Sequence, residues 1–327
     1  MPLLSKFYPA PAEWLPKFPR ETLDEIALVD VPSKQGKIYE CPDFEMKVTV
    51  DVHNFFAAEL YSRIREANAR GEKLTVILPS PENAVFIGLA EALNRASVPA
   101  KCLNVYFLYE YANEKGEVAP ADSAYSRSGH FMKYFYEKLD PALRPELKNV
   151  HFFTTENVNN YSEMIEKDGG ADVAFTALSW SGGIGAIDAE SFKADSLDEL
   201  KAAGSRVVTP MPECTAFDSM RGMFGCAGDI GNVPPRAATV GMRDIVSAKS
   251  RFDVEYLSNC SGTPSYQRFP VRLALFGPVC PQNPASVLRT LPGIMVLSEN
   301  VAKAGVYRGD IPWLDEEVRR IREKEGM

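Results

Sequence analysis

Apolar positions in the chain follow two spacings in turn. Val52, Phe56, Leu60, Ile64 and Ala67 recur every three or four residues, so 51–70 predicts a helix with one buried face, ended by Gly71. Leu74-Thr-Val-Ile-Leu78 is a continuous apolar run of strand length. Ser80-Pro81-Glu82-Asn83 opens a second helix with Phe86, Leu89, Ala90 and Leu93 on its face. Strands are predicted at 103–108 and 150–153, separated by a polar loop at 113–122 and a Tyr/Phe-rich helix over about 125–139. A helix near 160–168 then precedes the apolar run 171–178, which Gly169-Gly170 bounds. Further on come a strand at 206–208, a Met-rich helix near 212–223, a turn at Pro234-Pro235 and a strand at 254–257. Helical turns at 265–276 and 284–289, a strand at 294–297 and a charged helix at 314–324 complete the pattern. Such alternation predicts an α/β protein: a three-layer, Rossmann-like, mostly parallel sheet with helices on both faces.

The ends of the chain differ from its middle. Pro2, Pro9, Pro11, Pro16, Pro19, Pro32 and Pro42 crowd the first 42 residues, a density that rules out long helices. The expected organisation is a Pro-rich arm at 1–44 lying on the surface or on a neighbouring subunit, an α/β domain at 45–303, and a charged C-terminal helix at 304–327.

Composition narrows the function classes. The 327 residues are 45% hydrophobic and 24% charged, with a formal net charge of −8. That charge argues against a nucleic-acid or anionic-membrane partner. The longest apolar runs are strand-length, so no transmembrane helix is expected, and the N-terminus lacks the pattern of a secretory signal. Six cysteines without C-x-x-C spacing read as reduced thiols of a cytoplasmic protein. Three widely separated histidines, His53, His130 and His151, suggest no metal site, and no cofactor is implied.

Candidate chemistry gathers at predicted strand ends. Ser181, Gly182, Gly183 and Gly185 follow the 171–178 strand, and glycines there let backbone N–H groups approach a ligand. The same glycines equally suit tight packing under a neighbouring loop. Loops 79–84, 109–122 and 179–190 all fall at the carboxyl edge, where such sheets bind ligands.

Several segments resemble one family. Val233-Pro-Pro-Arg-Ala-Ala-Thr-Val-Gly-Met-Arg-Asp-Ile245, Leu275-Phe-Gly-Pro-Val279 with Pro284-Ala-Ser-Val-Leu288, Tyr109-Glu-Tyr111 and Asn149-Val-His-Phe152 resemble motifs of the glucosamine-6-phosphate deaminase/isomerase family, relatives of the 6-phosphogluconolactonases. The resemblance spans roughly 45–300 and implies that family's fold, a carbohydrate-like small-molecule ligand and a homo-oligomer.

The family's functional positions are largely replaced. Glu190 matches the glutamate of D-G-H-x-A-F-N-E-P, which puts Gly183 at the aspartate and Gly185 at the acid/base histidine. Tyr109 stands where the family has its D-E-Y aspartate, and a phenol with a pKa of about 10 is a poor base at neutral pH. Gln267 or Arg268 lies opposite the basic phosphate ligand, and Arg221 matches the other arginine. The phosphate loop has become Leu78-Pro-Ser-Pro-Glu-Asn83, with Ser80 expected as N-cap, Pro81 at the first helical position and Glu82 in the first turn, where a carboxylate repels phosphate.

The expected catalytic set is therefore Glu190, Glu110 and Tyr109. The expected ligand set is Ser80, Asn83, Ser181, Gly182, Gly183, Gly185, Arg221, Gln267 and Arg268. Strand alternation turns Tyr109 and Glu110 to opposite faces. The functional expectation is a diverged protein that acts on or binds a sugar or sugar-phosphate-like molecule. A non-catalytic binding or regulatory protein and an oligomeric scaffold are the alternatives.

Overall fold

The computed structural model describes residues 18–27, 29–80, 82–180, 182–220, 224, 227–255, 267–303, 320, 323 and 324. In chain order the helices are α1 (Arg20–Ala27), α2 (Val52–Arg70), α3 (Asn83–Ala96), α4 (Arg127–Phe131), α5 (Tyr161–Lys167), α6 (Leu197–Ala202), α7 (Pro212–Ser219), α8 (Met242–Ser247), α9 (Arg268–Phe276) and α10 (Glu299–Ala302). The strands are β1 (Phe44–Thr49), β2 (Leu74–Leu78), β3 (Leu103–Phe107), β4 (Tyr109–Ala112), β5 (Val150–His151), β6 (Val173–Thr176), β7 (Arg206–Val208), β8 (Arg236–Thr239), β9 (Ser250–Glu255) and β10 (Gly293–Ser298).

Seven strands form one sheet in the order β1-β10-β9-β6-β2-β3-β5, and every pairing is parallel. The chain lays down β2, β3 and β5 in one direction, then returns to the other side of β2 with β6 and continues outward. The order therefore reverses between β2 and β6, where Val76 pairs with Val173 and Ile77 with Ala174. A crevice opens at such a reversal, because the loops leaving the two strands turn to opposite sides.

The buried residues explain these elements. β2 and β3 are buried along their whole length, as strands covered on both faces must be. The α2 face predicted from spacing is the buried one, and its Phe56 stacks on Phe175 of β6 at 4.6 Å. Asp51 caps α2 by accepting the Asn54 N–H at 2.9 Å, and Gly71 ends it in the left-handed region at φ 65°.

A small antiparallel sheet, β4-β8-β7, stands over the carboxyl edge. It hangs from the main sheet at Leu108, whose N–H donates to Leu78 O at 2.9 Å and whose carbonyl accepts from Val240 at 3.1 Å. This sheet forms one wall of the crevice.

Residues 18–49 hold α1 and the edge strand β1, an element not expected from spacing, and they lie on this molecule, one of the two placements expected of the arm: Arg272 donates to Val29 O at 3.1 Å and Arg289 pairs with Glu40 at 2.9 Å. Proline density had hidden the alternation of buried Phe44 and Met46 with charged Glu45 and Lys47. The helix expected over 125–139 is α4 followed by a π-helical segment, Met132–Tyr136. α3 begins at Asn83 with Glu82 in the capping position and no side-chain cap, so Ser80 is not its N-cap. Pro81, residues 1–17 of the arm and most of the 314–324 helix lie outside the described residues. No helix among the described residues is long and apolar enough to cross a membrane.

Candidate functional site

The crevice between β2 and β6 is a cleft of about 920 Å³ counted out to its open mouth. Its floor comes from the residues that follow the two strands, Pro79, Ser80 and Glu82 after β2 and Ala177 to Trp180 after β6. Tyr109 and Tyr111 of β4 form one wall, and Cys214, Thr215, Phe217 and Asp218 of α7 form another. Strand ends set the floor because their side chains have no further strand to pack on.

Arg127 organises the interior. Its side chain is 1% exposed and crosses from α4 to the cleft, where the guanidinium lies 3.9 Å from the Tyr109 ring centre and 4.3 Å from that of Tyr111. It donates to Ser80 O at 2.6 Å, to the Tyr111 hydroxyl at 2.6 Å and to the Asp218 carboxylate at 3.0 Å. The Tyr111 hydroxyl donates onward to Asp218 at 2.8 Å. A desolvated guanidinium needs this combination of carboxylate, carbonyl and ring faces.

Strand alternation is observed at β4: Tyr109 and Tyr111 face the cleft and Glu110 lies behind them. Glu110 is fully buried and accepts from the backbone N–H groups of Tyr111, Arg127 and Ser128 at 2.9, 2.9 and 2.8 Å and from the Ser126 hydroxyl at 3.0 Å. Both oxygens accept hydrogen bonds, three from backbone N–H groups and one from a hydroxyl, and they hold the start of α4. Glu190 lies elsewhere. It is half-exposed, pairs with Lys193 at 3.0 Å and does not line the cleft.

The expected ligand residues divide. Gly185 reaches the cleft at φ 58°, and a Cβ there would meet Leu108 at 2.9 Å. Gly182 and Gly183 pack inward: a Cβ on Gly182 would lie 2.9 Å from Asn283 Oδ1, and one on Gly183 would collide with Ile187 O. Ser80 donates its hydroxyl to Arg127 O at 2.6 Å, which makes a reciprocal clasp with the guanidinium bond. Gln267 lines the cleft and donates to Glu255, while Arg268 turns away to Asn300 at 2.6 Å. Asn83 bonds His130 at 3.0 Å, outside the lining. Ser181 and Arg221 lie outside the described residues. None of the three histidines lines the cleft.

Behind the floor stand two acids that spacing had not singled out. Asp253 and Glu255 are fully buried two residues apart on β9. Asp253 accepts from Thr176, and burial pushes its carboxyl from 3.8 up to about 8. Glu255 accepts from Leu178 N–H at 2.9 Å and from Gln267, and burial first, then the charges of Asp253 and Glu82, raise it well above the ordinary range. Asp188, also buried, accepts from the backbone of Glu190, Ser191 and Met211 at 3.0, 2.7 and 3.0 Å, tying the glycine loop to the start of α7. Burial lifts the Asp188 carboxyl and the Cys214 thiol above their usual values. Local sequence gave no signal for Arg127, Asp218, Asp253 or Glu255, because each is defined by partners far away in the chain.

The sequence matches no protein family profile and no curated protein. Its fold is nevertheless similar to solved structures. One is a monomeric glucosamine-6-phosphate deaminase, at 15% identity and a TM-score of 0.61, covering 79% of this chain and 98% of that one. The Thermotoga maritima 6-phosphogluconolactonase is similar at 12% identity and a TM-score of 0.55, covering 78% of this chain and 99% of that one. The Trypanosoma cruzi 6-phosphogluconolactonase is similar at 14% identity and a TM-score of 0.53, covering 79% and 96%. These likenesses establish the α/β fold of the deaminase and lactonase structures for this chain.

Proposed function

We propose that the cleft between β2 and β6 binds a sugar or sugar-like small molecule, in a protein that does not use a histidine–aspartate proton shuttle. One observation carries the reading: the cleft opens where the strand order reverses, in a fold shared with proteins named for acting on glucosamine 6-phosphate and 6-phosphogluconolactone. Its lining suits a hydroxyl-rich ligand, with Ser179, Thr215, Tyr109, Glu82 and Asp218 among apolar walls.

Binding without turnover is the second reading, and Glu110 favours it. The carboxylate next to the position of the family's base is closed off by four hydrogen bonds. If the protein is catalytic, proton transfer falls to the cleft-lining carboxylate of Glu82.

The test is calorimetric titration with sugars, amino sugars and their 6-phosphates, run beside assays of ammonia release and lactone hydrolysis. Saturable binding of at least one sugar, without ammonia release from glucosamine 6-phosphate, is the expected result. No binding across the panel would overturn the ligand assignment. Ammonia release above buffer would overturn the loss of the deaminase shuttle.

A further inference from the structure

Resting on the reading of the cleft as a carbohydrate site, we infer that Trp180 is the platform on which the ligand stacks, and that the ligand is a cyclic sugar with an unphosphorylated edge facing Glu82. Hydrogen bonds tie the residues on the two sides of Trp180 together. Ser179 N–H donates to Gly183 O at 3.0 Å, Gly182 N–H to Ser179 O at 3.3 Å, and Gly183 N–H to Ser179 Oγ at 3.1 Å. Gly182, at φ 79°, wedges this turn against Asn283, and its carbonyl accepts the Ala285 N–H at 2.9 Å. The glycines that suggested a ligand-cradling loop thus serve to fix the residue between them and β6.

That residue is a tryptophan on the cleft. Trp180 is 38% exposed although its ring packs on Phe217 at 5.6 Å, tilted by 45°. Phe217, 8% exposed, is itself part of the wall. An indole held in place from beneath, with open area left at a binding cleft, is suited to cover an apolar surface of a ligand. A sugar ring has such a surface in its axial C–H groups, and an open-chain polyol offers no flat face. The hydroxyls at the ring's edge would meet Ser179, Thr215 and Asp218, which line the same cleft. Glu82, 7% exposed at the start of α3, puts a carboxylate on the floor, which favours hydroxyl or amine donors over a phosphate.

The experiment uses the full chain, with glucose, glucosamine and N-acetylglucosamine as cyclic probes, sorbitol as the open-chain control and glucosamine 6-phosphate as the charged one. Calorimetry is run on the native protein, Trp180→Ala and Trp180→Phe. A cyclic probe is expected to bind at least ~10-fold more tightly than sorbitol or the phosphate. Trp180→Ala should weaken that binding about 10-fold and Trp180→Phe about 3-fold or less, with melting temperatures close to native. In a Trp14→Phe, Trp313→Phe background, which leaves Trp180 as the sole indole of the original three, saturation should shift the emission. A cyclic sugar that binds Trp180→Ala as tightly as the native protein, with static Trp180 emission, would overturn the platform and leave the binding site standing. Loss of binding in both variants together with a large fall in melting temperature would make Trp180 structural and overturn it too. Failure of every probe to bind the native chain would instead bring down the carbohydrate reading itself.

Discussion

Arg127 and Asp218, ninety-one residues apart in sequence, form an ion pair of 3.0 Å at the side of the cleft, with side chains 1% and 13% exposed. Removing one member of a buried pair strands the other charge, and typically costs about 3–5 kcal/mol. Arg127 keeps Ser80 O and the Tyr111 hydroxyl when Asp218 is lost, so Asp218→Ala is expected at the low end, about 3 kcal/mol. Urea unfolding measures it; a change within about 0.5 kcal/mol, the range of an ordinary surface substitution, would show that the pair does not hold the wall.

Glu110→Gln separates anchor from base. The amide replaces one of the two oxygens by NH2, so it sets donor against donor either at the Tyr111 and Arg127 N–H groups, which share one oxygen, or at the Ser128 N–H, which meets the other. Each buried N–H left unmet costs about 1–3 kcal/mol, so the variant should lose about 3 kcal/mol of stability. Thermal and urea unfolding check this. Full stability with abolished turnover would mark Glu110 as the catalytic base after all.

Asp253 predicts a pH dependence. Burial holds its carboxyl at about 8 in the folded protein, against 3.8 when exposed. Between those values the folded chain keeps a proton that the unfolded chain has released, so stability falls as pH rises from about 4 to about 8 and then levels off. The slope is at most about 1.4 kcal/mol per pH unit for one proton. Glu255, raised in the same direction, adds to the trend. Asp253→Asn should flatten the profile and gain on the native protein with rising pH, as read by unfolding at a series of pH values. Parallel profiles would refute it.

Glu82 predicts ligand charge selectivity. A carboxylate and a phosphate about 4 Å apart repel by roughly 1–4 kcal/mol per unit charge between bulk-water and near-surface dielectrics. Glu82→Gln should therefore improve binding of a phosphorylated sugar by about 10-fold or more while changing that of the neutral sugar much less. Equal effects on both in calorimetry would show that phosphate does not approach the α3 start.

Much of the framework was readable from spacing. The faces of α2 and α3, the apolar runs of β2, β3 and β6 and the carboxyl-edge loops follow from local periodicity, because a residue's burial on a helix or strand repeats with the backbone. β1 was missed because prolines at 32 and 42 masked a short alternating strand. The site was less readable. Glu190, matched by motif, sits outside the cleft with Lys193, and Glu110, next to a motif position, caps α4. Motif position reports where the backbone runs, whereas side-chain partners decide whether a carboxylate is available.

The amino-acid sequence by itself determined the layers of this protein and the edge at which its loops collect, since both arise from short-range repeats of apolar residues. Only the tertiary structure decided which polar groups face the cleft. Arg127 meets Asp218, Thr176 meets Asp253 and Leu178 meets Glu255 across separations of 77 to 91 residues, and those meetings set which groups are spent and which stay available. A hydrogen bond or ion pair depends on where two distant segments arrive together, and no local pattern carries that information.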